Sequence, residues 1–179
     1  MTIVVNLVAG PCAGKTTMAA ALFLELKLRG VNVEYVQEYA KHLVWTKDFK
    51  KLNNQYFVTD EQYNLLKAID GKVDVIITDG SLLHGLYYNK YNKDNTSDIR
   101  KTEEHILFTF NEFNNITFIL DRGNIEYKQE GRLETREEAI DIDNFFLDQF
   151  IHYYGIPYRR IKSDVSKENI DMIIKTILK

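Results

Sequence analysis

The stretch VNLVAGPCAGKTT at residues 5–17 decides the fold of this chain. An apolar strand, predicted over residues 2–8, enters a glycine-rich loop, and Lys15 opens a helix that is predicted to run to about Arg29. Backbone N–H groups of such a loop and of the helix N-terminus point inward, where they bind the phosphates of a nucleoside triphosphate. The lysine reaches the β- and γ-phosphates, and the Thr16 hydroxyl completes the shell of a Mg²⁺ ion.

The motif departs from the pattern G-x-x-x-x-G-K-[ST] at its first position, which is Ala9. Alanine there implies either an ordinary backbone at Ala9 or a strained turn that moves to Gly10. The predicted nucleotide-binding residues are Gly10, Pro11, Cys12, Ala13, Gly14, Lys15, Thr16 and Thr17.

Length and composition indicate one globular domain spanning residues 1–179. The chain is 45% hydrophobic and 27% charged, which is ordinary for a globular protein, and it has no apolar run of membrane-spanning length. Its net charge of −3 gives no support for broad electrostatic binding to nucleic acid, although a local basic groove is compatible with it. A single cysteine, Cys12, excludes an internal disulfide and is typical of a reducing compartment, so a cytoplasmic location is expected, that of the host if the chain is viral.

Apolar, β-branched runs alternate with helical stretches along the whole chain. This alternation predicts an α/β fold with a parallel sheet that is covered by helices on both faces. Ligands of such sheets bind at the carboxyl ends of the strands. The predicted strands are 2–8, 31–36, 73–78, 116–120 and 158–162, and the helices after the first are about 39–47, 60–72, 82–91, 98–114, 134–154 and 167–178.

Two carboxylates follow predicted strands at that edge. Asp79 ends the third strand and is expected to help bind Mg²⁺ close to Thr16, the alternative being a helix N-cap. Glu38 follows the second strand, where an acceptor would lie, and is the best-placed group to take a proton from an acceptor hydroxyl. Its alternative role is to stabilise the dipole of the following helix.

A cationic loop follows the fourth strand over residues 121–136. Arg122, Arg132 and Arg136 are its predicted catalytic residues, because a mobile cationic loop facing the phosphate site can close on a triphosphate and neutralise developing charge. The alternative is a solvated loop, since glutamates interleave with the cations. Which arginine contacts the γ-phosphate is left open by the sequence.

With these motifs the chain resembles the small phosphate-loop kinases. It is most similar to the AAA-like ATPase/kinase group that includes the nicotinamide riboside kinase domain and many phage nucleotide-kinase-like proteins. The motifs that carry the resemblance are GPCAGKTT (10–17), EYA (38–40), the strand ending in Asp79, and GRLETREEA (131–139). The resemblance implies a three-layer P-loop NTPase fold with strand order 2-3-1-4-5, ATP·Mg²⁺ as the donor, and a lid at about 122–136.

The leading hypothesis is an ATP-dependent kinase with a nucleoside- or nucleotide-like small molecule as acceptor. Catalysis is assigned to Lys15, Glu38, Asp79 and the three arginines, and Mg²⁺ to Thr16 and Asp79. Glu38 favours a hydroxyl acceptor over a phosphate, because a phosphate acceptor needs no base. A specialised version phosphorylates a 5-hydroxymethylpyrimidine in phage DNA, which makes DNA a second class of substrate.

Three alternatives stay open beside this hypothesis. One is a nucleoside monophosphate kinase, and another is a nucleotide-hydrolysing switch or binding module. Against the switch, neither NKYN at 89–92 nor NKDN at 92–95 has the final aspartate of the guanine-reading motif. The third is a structural or inhibitory protein on a disabled kinase fold, which the intact Lys15, Thr16 and Asp79 disfavour. The sequence leaves the oligomeric state open.

Overall fold

The computed structural model describes residues 1–149 and 153–179. Its strands form one parallel sheet of order β2-β3-β1-β4-β5, which confirms the predicted fold class and strand order. The strands are β1 (Ile3–Val8), β2 (Val33–Val36), β3 (Val75–Thr78), β4 (Asn114–Asp121) and β5 (Arg159–Lys162). The helices are α1 (Lys15–Leu28), α2 (Tyr39–Thr46), α3 (Phe49–Leu52), α4 (Gln55–Lys67), α5 (His84–Tyr91), α6 (Ile99–Asn111), α7 (Arg136–Gln149) and α8 (Lys167–Ile177).

The central strand β1 has buried side chains on both faces. Helices therefore cover both faces of the sheet, which gives three layers. Its side chains alternate, with Val5 and Leu7 packing in one core with α1 and α8. Val4 and Val8 belong to a second core, which helices α4 to α7 supply on the opposite face. Burial of these apolar side chains contributes about 25 cal/mol per Å² removed from water, so the sheet is held from both sides.

The structure corrects the predicted helix at 60–72. That helix, α4, begins five residues earlier, because the Asn54 side chain accepts a hydrogen bond from the backbone of Phe57 and caps it. A short helix, α3, which was not predicted, precedes it and is capped in the same way by Asp48. The α3–α4 segment supplies Phe49, Leu52, Asn53 and Gln55 to the wall of the cavity that is described below.

The predicted helix at 98–114 was also too long. It ends at Asn111, and β4 already begins at Asn114, which is paired with Ile3 of β1. Residues 150–152 of the predicted helix 134–154 lie outside the described residues. Within residues 1–149 and 153–179, no helix is both long enough and apolar enough to cross a membrane.

Candidate functional site

The glycine-rich loop joins β1 to α1 at the carboxyl edge of the sheet. Gly14 is the N-cap of α1 with φ +88°, a left-handed conformation that suits glycine. The first amides of α1 have no acceptor within their own helix, so they are free to bind an anion at the helix N-terminus. The loop lies at one end of a cavity of about 880 Å³ that reaches to α2, α3 and α5.

Ala9 and Gly10 explain the departure of the motif from its usual pattern. Neither residue has a positive φ, so the expectation of an ordinary backbone at Ala9 is the one that the structure shows. Gly10 is needed for another reason, because an added Cβ would stand 2.3 Å from the Ala139 carbonyl oxygen of α7. In the rest of the loop, Cys12 has a left-handed backbone with φ +60°.

Lys15 points back over the loop. Its Nζ donates to the carbonyl oxygens of Ala9 and Gly10, at 2.9 and 3.0 Å. The ammonium group is therefore held at the cavity wall beside the loop amides. A phosphate bound there can replace these carbonyl oxygens as its partner, since an ammonium group has three donors.

Thr16 and Asp79 meet as the sequence predicts. The Thr16 hydroxyl donates to Asp79 Oδ2 at 2.6 Å, and Asp79 Oδ1 accepts from the backbone N–H of Glu38 at 3.1 Å. Asp79 is buried and does not cap α5, which begins only at His84. The hydroxyl of Tyr35 is buried nearby without a hydrogen bond. Burial and then the charge of Asp79 raise the pKa of Tyr35. This oxygen-only set, with an unsatisfied hydroxyl beside it, fits Mg²⁺.

Glu38 stands at the start of α2 and lines the same cavity as Lys15. Burial raises the pKa of Glu38, Lys15 opposes this shift, and the negative charge of Asp79 adds to it. A carboxylate whose pKa lies above its usual range is a stronger proton acceptor, because the ideal pKa of a base lies near the working pH. The structure therefore brings Lys15, Thr16, Glu38 and Asp79 together at one end of the cavity.

The three arginines occupy different positions. Arg122 donates from Nε to Asp143 Oδ2 at 2.7 Å and from a terminal nitrogen to the Pro11 carbonyl at 2.6 Å, so it is engaged with α7 and the loop. Arg132 lines the cavity, and its guanidinium donates to the carbonyl oxygens of Lys128 and Glu130. Arg136 is the exposed first residue of α7 and does not line the cavity.

Residues 122–136, the segment predicted as a lid, lie against the mouth of the cavity. Trp45 of α2 packs on Gly131, where an added Cβ would stand 2.5 Å from Cζ2 of the indole. Tyr88 of α5 donates to Glu134 Oε1 at 2.8 Å, and Tyr127 donates to the Glu134 carbonyl at 2.5 Å. The Trp45 and Tyr88 contacts join the lid to α2 and α5 on the far side of the cavity, and the Tyr127 contact lies within the lid.

Sequence reasoning missed Asp143 and Glu134. Asp143 accepts from the Gly10 backbone N–H at 2.6 Å as well as from Arg122, so it ties α7 to the loop. It lies within a helix far along the chain, and no local pattern distinguishes it from the other acids of α7. In the sequence, Glu134 is only one of several glutamates that interleave with the lid cations, so nothing there marks it as part of the cavity.

The far wall of the cavity is aromatic and polar. Among its lining residues are the rings of Trp45, Phe49, Tyr87, Tyr88 and Tyr91, the amides of Asn53, Gln55 and Asn92, and the cations Lys41 and Lys93. His84, at the base, is buried, and burial together with Lys15 lowers its pKa well below the usual value, so it is neutral. This wall suits a planar ligand with polar edges.

Comparisons with known proteins agree with this architecture. A family model described as an AAA domain matches residues 4–168. Among solved structures, the chain is similar to the YorR protein from Bacillus subtilis in complex with phosphorylated GDP, with 19% identity and a TM-score of 0.58 over 98% of this chain and 96% of that one. No curated protein matches the chain. The family match spans nearly the whole chain, which therefore belongs to the AAA domain family, within the small P-loop proteins of the kinase and ATPase group.

Proposed function

We propose that this protein is a kinase that transfers the γ-phosphoryl group of ATP to a hydroxyl of a nucleoside- or nucleotide-like acceptor. The observation that carries the proposal is the position of Glu38. Its carboxylate lines the cavity together with Lys15, and its backbone N–H is bonded to Asp79. The cavity continues from Glu38 to the aromatic wall, which leaves room for a planar acceptor beside the phosphates.

The chain's own groups divide the reaction between them. The acceptor oxygen forms a bond to the γ-phosphorus, the bond from that phosphorus to the bridging oxygen breaks, and ADP leaves. The hydroxyl proton passes to Glu38, whose raised pKa suits a proton acceptor. Lys15 and the loop amides hold the phosphates. When bound at Thr16 and Asp79, Mg²⁺ would neutralise charge on the phosphate oxygens.

The structure of YorR supports a nucleotide ligand, since that protein was solved in complex with phosphorylated GDP. One experiment tests both the preference for ATP or GTP and the identity of the acceptor. An ADP-release assay is run with saturating ATP and Mg²⁺ across nucleosides, nucleoside monophosphates, and oligonucleotides with and without 5-hydroxymethylpyrimidines. GTP replaces ATP in parallel.

We expect ADP release that depends on a hydroxyl acceptor and is lost in the Glu38→Gln variant. The matched control is Glu34→Gln, four residues earlier, whose carboxylate is exposed and paired with Lys27 outside the cavity. Release that needs no acceptor would indicate the hydrolysing switch instead. Release with monophosphates that survives Glu38→Gln would indicate a monophosphate kinase, and release with modified oligonucleotides alone would indicate a DNA acceptor.

A further inference from the structure

A glutamine of α4 holds the chain segment that carries Glu38. Gln62 Oε1 accepts from the backbone N–H of Tyr39 at 2.7 Å, and its Nε2 donates to the carbonyl oxygen of Gln37 at 3.3 Å. These two main-chain groups lie immediately after and immediately before Glu38 in the chain. One side-chain amide therefore bonds the main chain on both sides of the proposed proton acceptor.

Gln62 has little freedom of its own. It is 5% exposed, and it lies one helical turn from Val58 and from Leu66, which are also buried on α4. A buried amide costs free energy unless its donor and its acceptor are both used, and here both are used. An apolar side chain would fill this place without that requirement, so the hydrogen bonds, and not packing, explain why a glutamine stands here.

The main chain of Glu38 is also confined by the turn after β3. A Cβ added to Gly80 would stand 2.5 Å from Glu38 Cα and 2.9 Å from Gln62 Oε1. Only a residue without a side chain leaves room there for both groups. The residue before it, Asp79, accepts from the Glu38 N–H at 3.1 Å. Gln62, Asp79 and Gly80 thus all contact the corner between β2 and α2.

These contacts cap α2 without using the Glu38 carboxylate. The first amides of a helix have no partner within it, and a carboxylate at the helix N-terminus is attracted to them. Glu38 is the N-cap residue of α2, yet its side chain makes no capping hydrogen bond. Asp79 accepts from the N–H of Glu38, and Gln62 accepts from that of Tyr39 instead. The Glu38 carboxylate is left to line the cavity, where the proposed acceptor would bind.

We propose that Gln62 is a positioning residue for the phosphoryl transfer proposed above. It fixes the main chain before and after Glu38 and caps α2 in place of that residue, and so it holds the carboxylate in the orientation that takes the acceptor's proton. A proton acceptor must lie within hydrogen-bond reach of the reacting hydroxyl, so a small displacement of this corner lowers the rate of transfer without changing the phosphate loop. The inference rests on the proposed function and deepens it.

Two variants remove these hydrogen bonds. Gln62→Met has a similar length but no amide, and Gln62→Asn keeps the amide but is one methylene shorter, so neither can bond both main-chain groups. The matched control is Asn115→Leu, which removes another amide that donates to two main-chain carbonyls, those of Phe110 and Phe113, at the corner between α6 and β4. Asn115 does not line the cavity. Urea denaturation measures the free energy of unfolding of each variant.

The first measurement needs no substrate. Hydrogen exchange of the Tyr39 amide, followed by NMR, is expected to be about 10-fold or more faster in both Gln62 variants than in the wild type, as for the loss of one hydrogen bond. Asn115→Leu is expected to leave this rate unchanged. Equal exchange rates in the wild type and in both Gln62 variants would overturn the inference, whatever the activity of the protein.

The second measurement is kcat, with saturating ATP and Mg²⁺ and the nucleosides, nucleoside monophosphates and oligonucleotides of the ADP-release assay. We expect Gln62→Met and Gln62→Asn to lower kcat about 10- to 100-fold and to leave KM for ATP unchanged. When Glu38→Gln is already present, the same substitutions are expected to lower kcat by about 2-fold at most, because the carboxylate that Gln62 positions is gone. Asn115→Leu is expected to have little effect on kcat with or without Glu38→Gln.

Faster exchange at Tyr39, together with a loss of kcat that Glu38→Gln abolishes, supports the inference. A loss of kcat that is equal with and without Glu38→Gln would show that Gln62 acts on the structure as a whole, which overturns the inference and leaves the kinase proposal standing. If the wild type shows no acceptor-dependent turnover, the kinase proposal is overturned and the role of Gln62 in transfer falls with it. Faster exchange in the variants would then still show that Gln62 fixes the corner.

Discussion

Glu38 is tied by its own backbone to the residue that is proposed to hold Mg²⁺. Its N–H donates to Asp79 Oδ1, while Asp79 Oδ2 accepts from Thr16. The proposed proton acceptor and the proposed metal-binding pair are therefore held together by one carboxylate, that of Asp79. Such positioning matters because a proton acceptor must be within hydrogen-bond reach of the reacting hydroxyl.

The raised pKa of Glu38 predicts two effects of pH on the wild type that the Glu38→Gln variant lacks. One is on kcat, and the other is on the free energy of unfolding. Only the ionised carboxylate takes a proton, so kcat of the wild type rises with pH through a pKa above the usual value of 4.5. The kcat of the variant is expected to be about 10²- to 10⁴-fold lower and to show no such rise with pH. If kcat of the variant still rises with pH as it does in the wild type, the titrating group is a residue other than Glu38.

The free energy of unfolding is expected to fall as the pH rises, whereas kcat rises, because burial disfavours the charged carboxylate. Below the ordinary pKa, Glu38 is neutral in the folded and unfolded chains, and it contributes no penalty. As the pH rises towards the raised pKa, only the unfolded chain ionises freely, so the free energy of unfolding of the wild type falls relative to Glu38→Gln. Urea denaturation of both proteins at several pH values measures this difference.

At the scale of elements, α7 anchors the phosphate loop. Asp143 accepts from Gly10 and from Arg122, and Arg122 donates onward to the Pro11 carbonyl. The Asp143–Arg122 pair is largely buried, with 15% and 12% of the two side chains exposed. Gly10 is needed because α7 approaches it so closely, which explains a glycine one residue later than the motif requires.

Asp143→Ala is expected to lower the free energy of unfolding by about 3 kcal/mol or more, since it leaves a buried guanidinium unpaired. The control is Arg160→Ala, which removes an exposed ion pair with Asp121 and should cost less than about 1 kcal/mol. Urea denaturation measures both. Equal, small losses in the two variants would show that the loop does not depend on this anchor.

The sequence predicted the parallel sheet well, because buried strands such as residues 73–78 are recognisable as continuous apolar runs. It also located Lys15, Thr16, Glu38 and Asp79, since these groups follow strands whose ends share one edge. Asp143 and Glu134 were missed for the same physical reason. Their roles depend on how α7 and the lid pack across the sheet, and local sequence does not encode that packing. The α3–α4 boundary was missed because single side chains, Asp48 and Asn54, set it.

At the scale of the whole molecule, the lid joins the two sides of the cavity. It contacts α2 through Trp45 and Gly131, α5 through Glu134 and Tyr88, and the loop through the Glu126 carbonyl, which accepts from Cys12 Sγ at 3.5 Å. The proposed phosphate donor and acceptor would share this one cavity, and the lid would exclude water from the transfer. Trp45 is the only tryptophan of the chain, so its fluorescence reports the lid contact directly.

Gly131→Ala is expected to displace the lid from Trp45. The residue has φ +73°, and its added Cβ would stand 2.5 Å from the indole, so strain and collision both oppose the contact. We expect Trp45 emission to move to longer wavelength, its quenching by acrylamide to increase, and kcat/KM to fall. The control is Gly71→Ala, which has φ +79° but no atom within 4 Å of the added Cβ. It has a similar backbone cost, about 1 to 2 kcal/mol, without touching the lid. Identical fluorescence and kcat/KM in both variants would mean that the Trp45 contact does not hold the lid in place, and that the other lid contacts do.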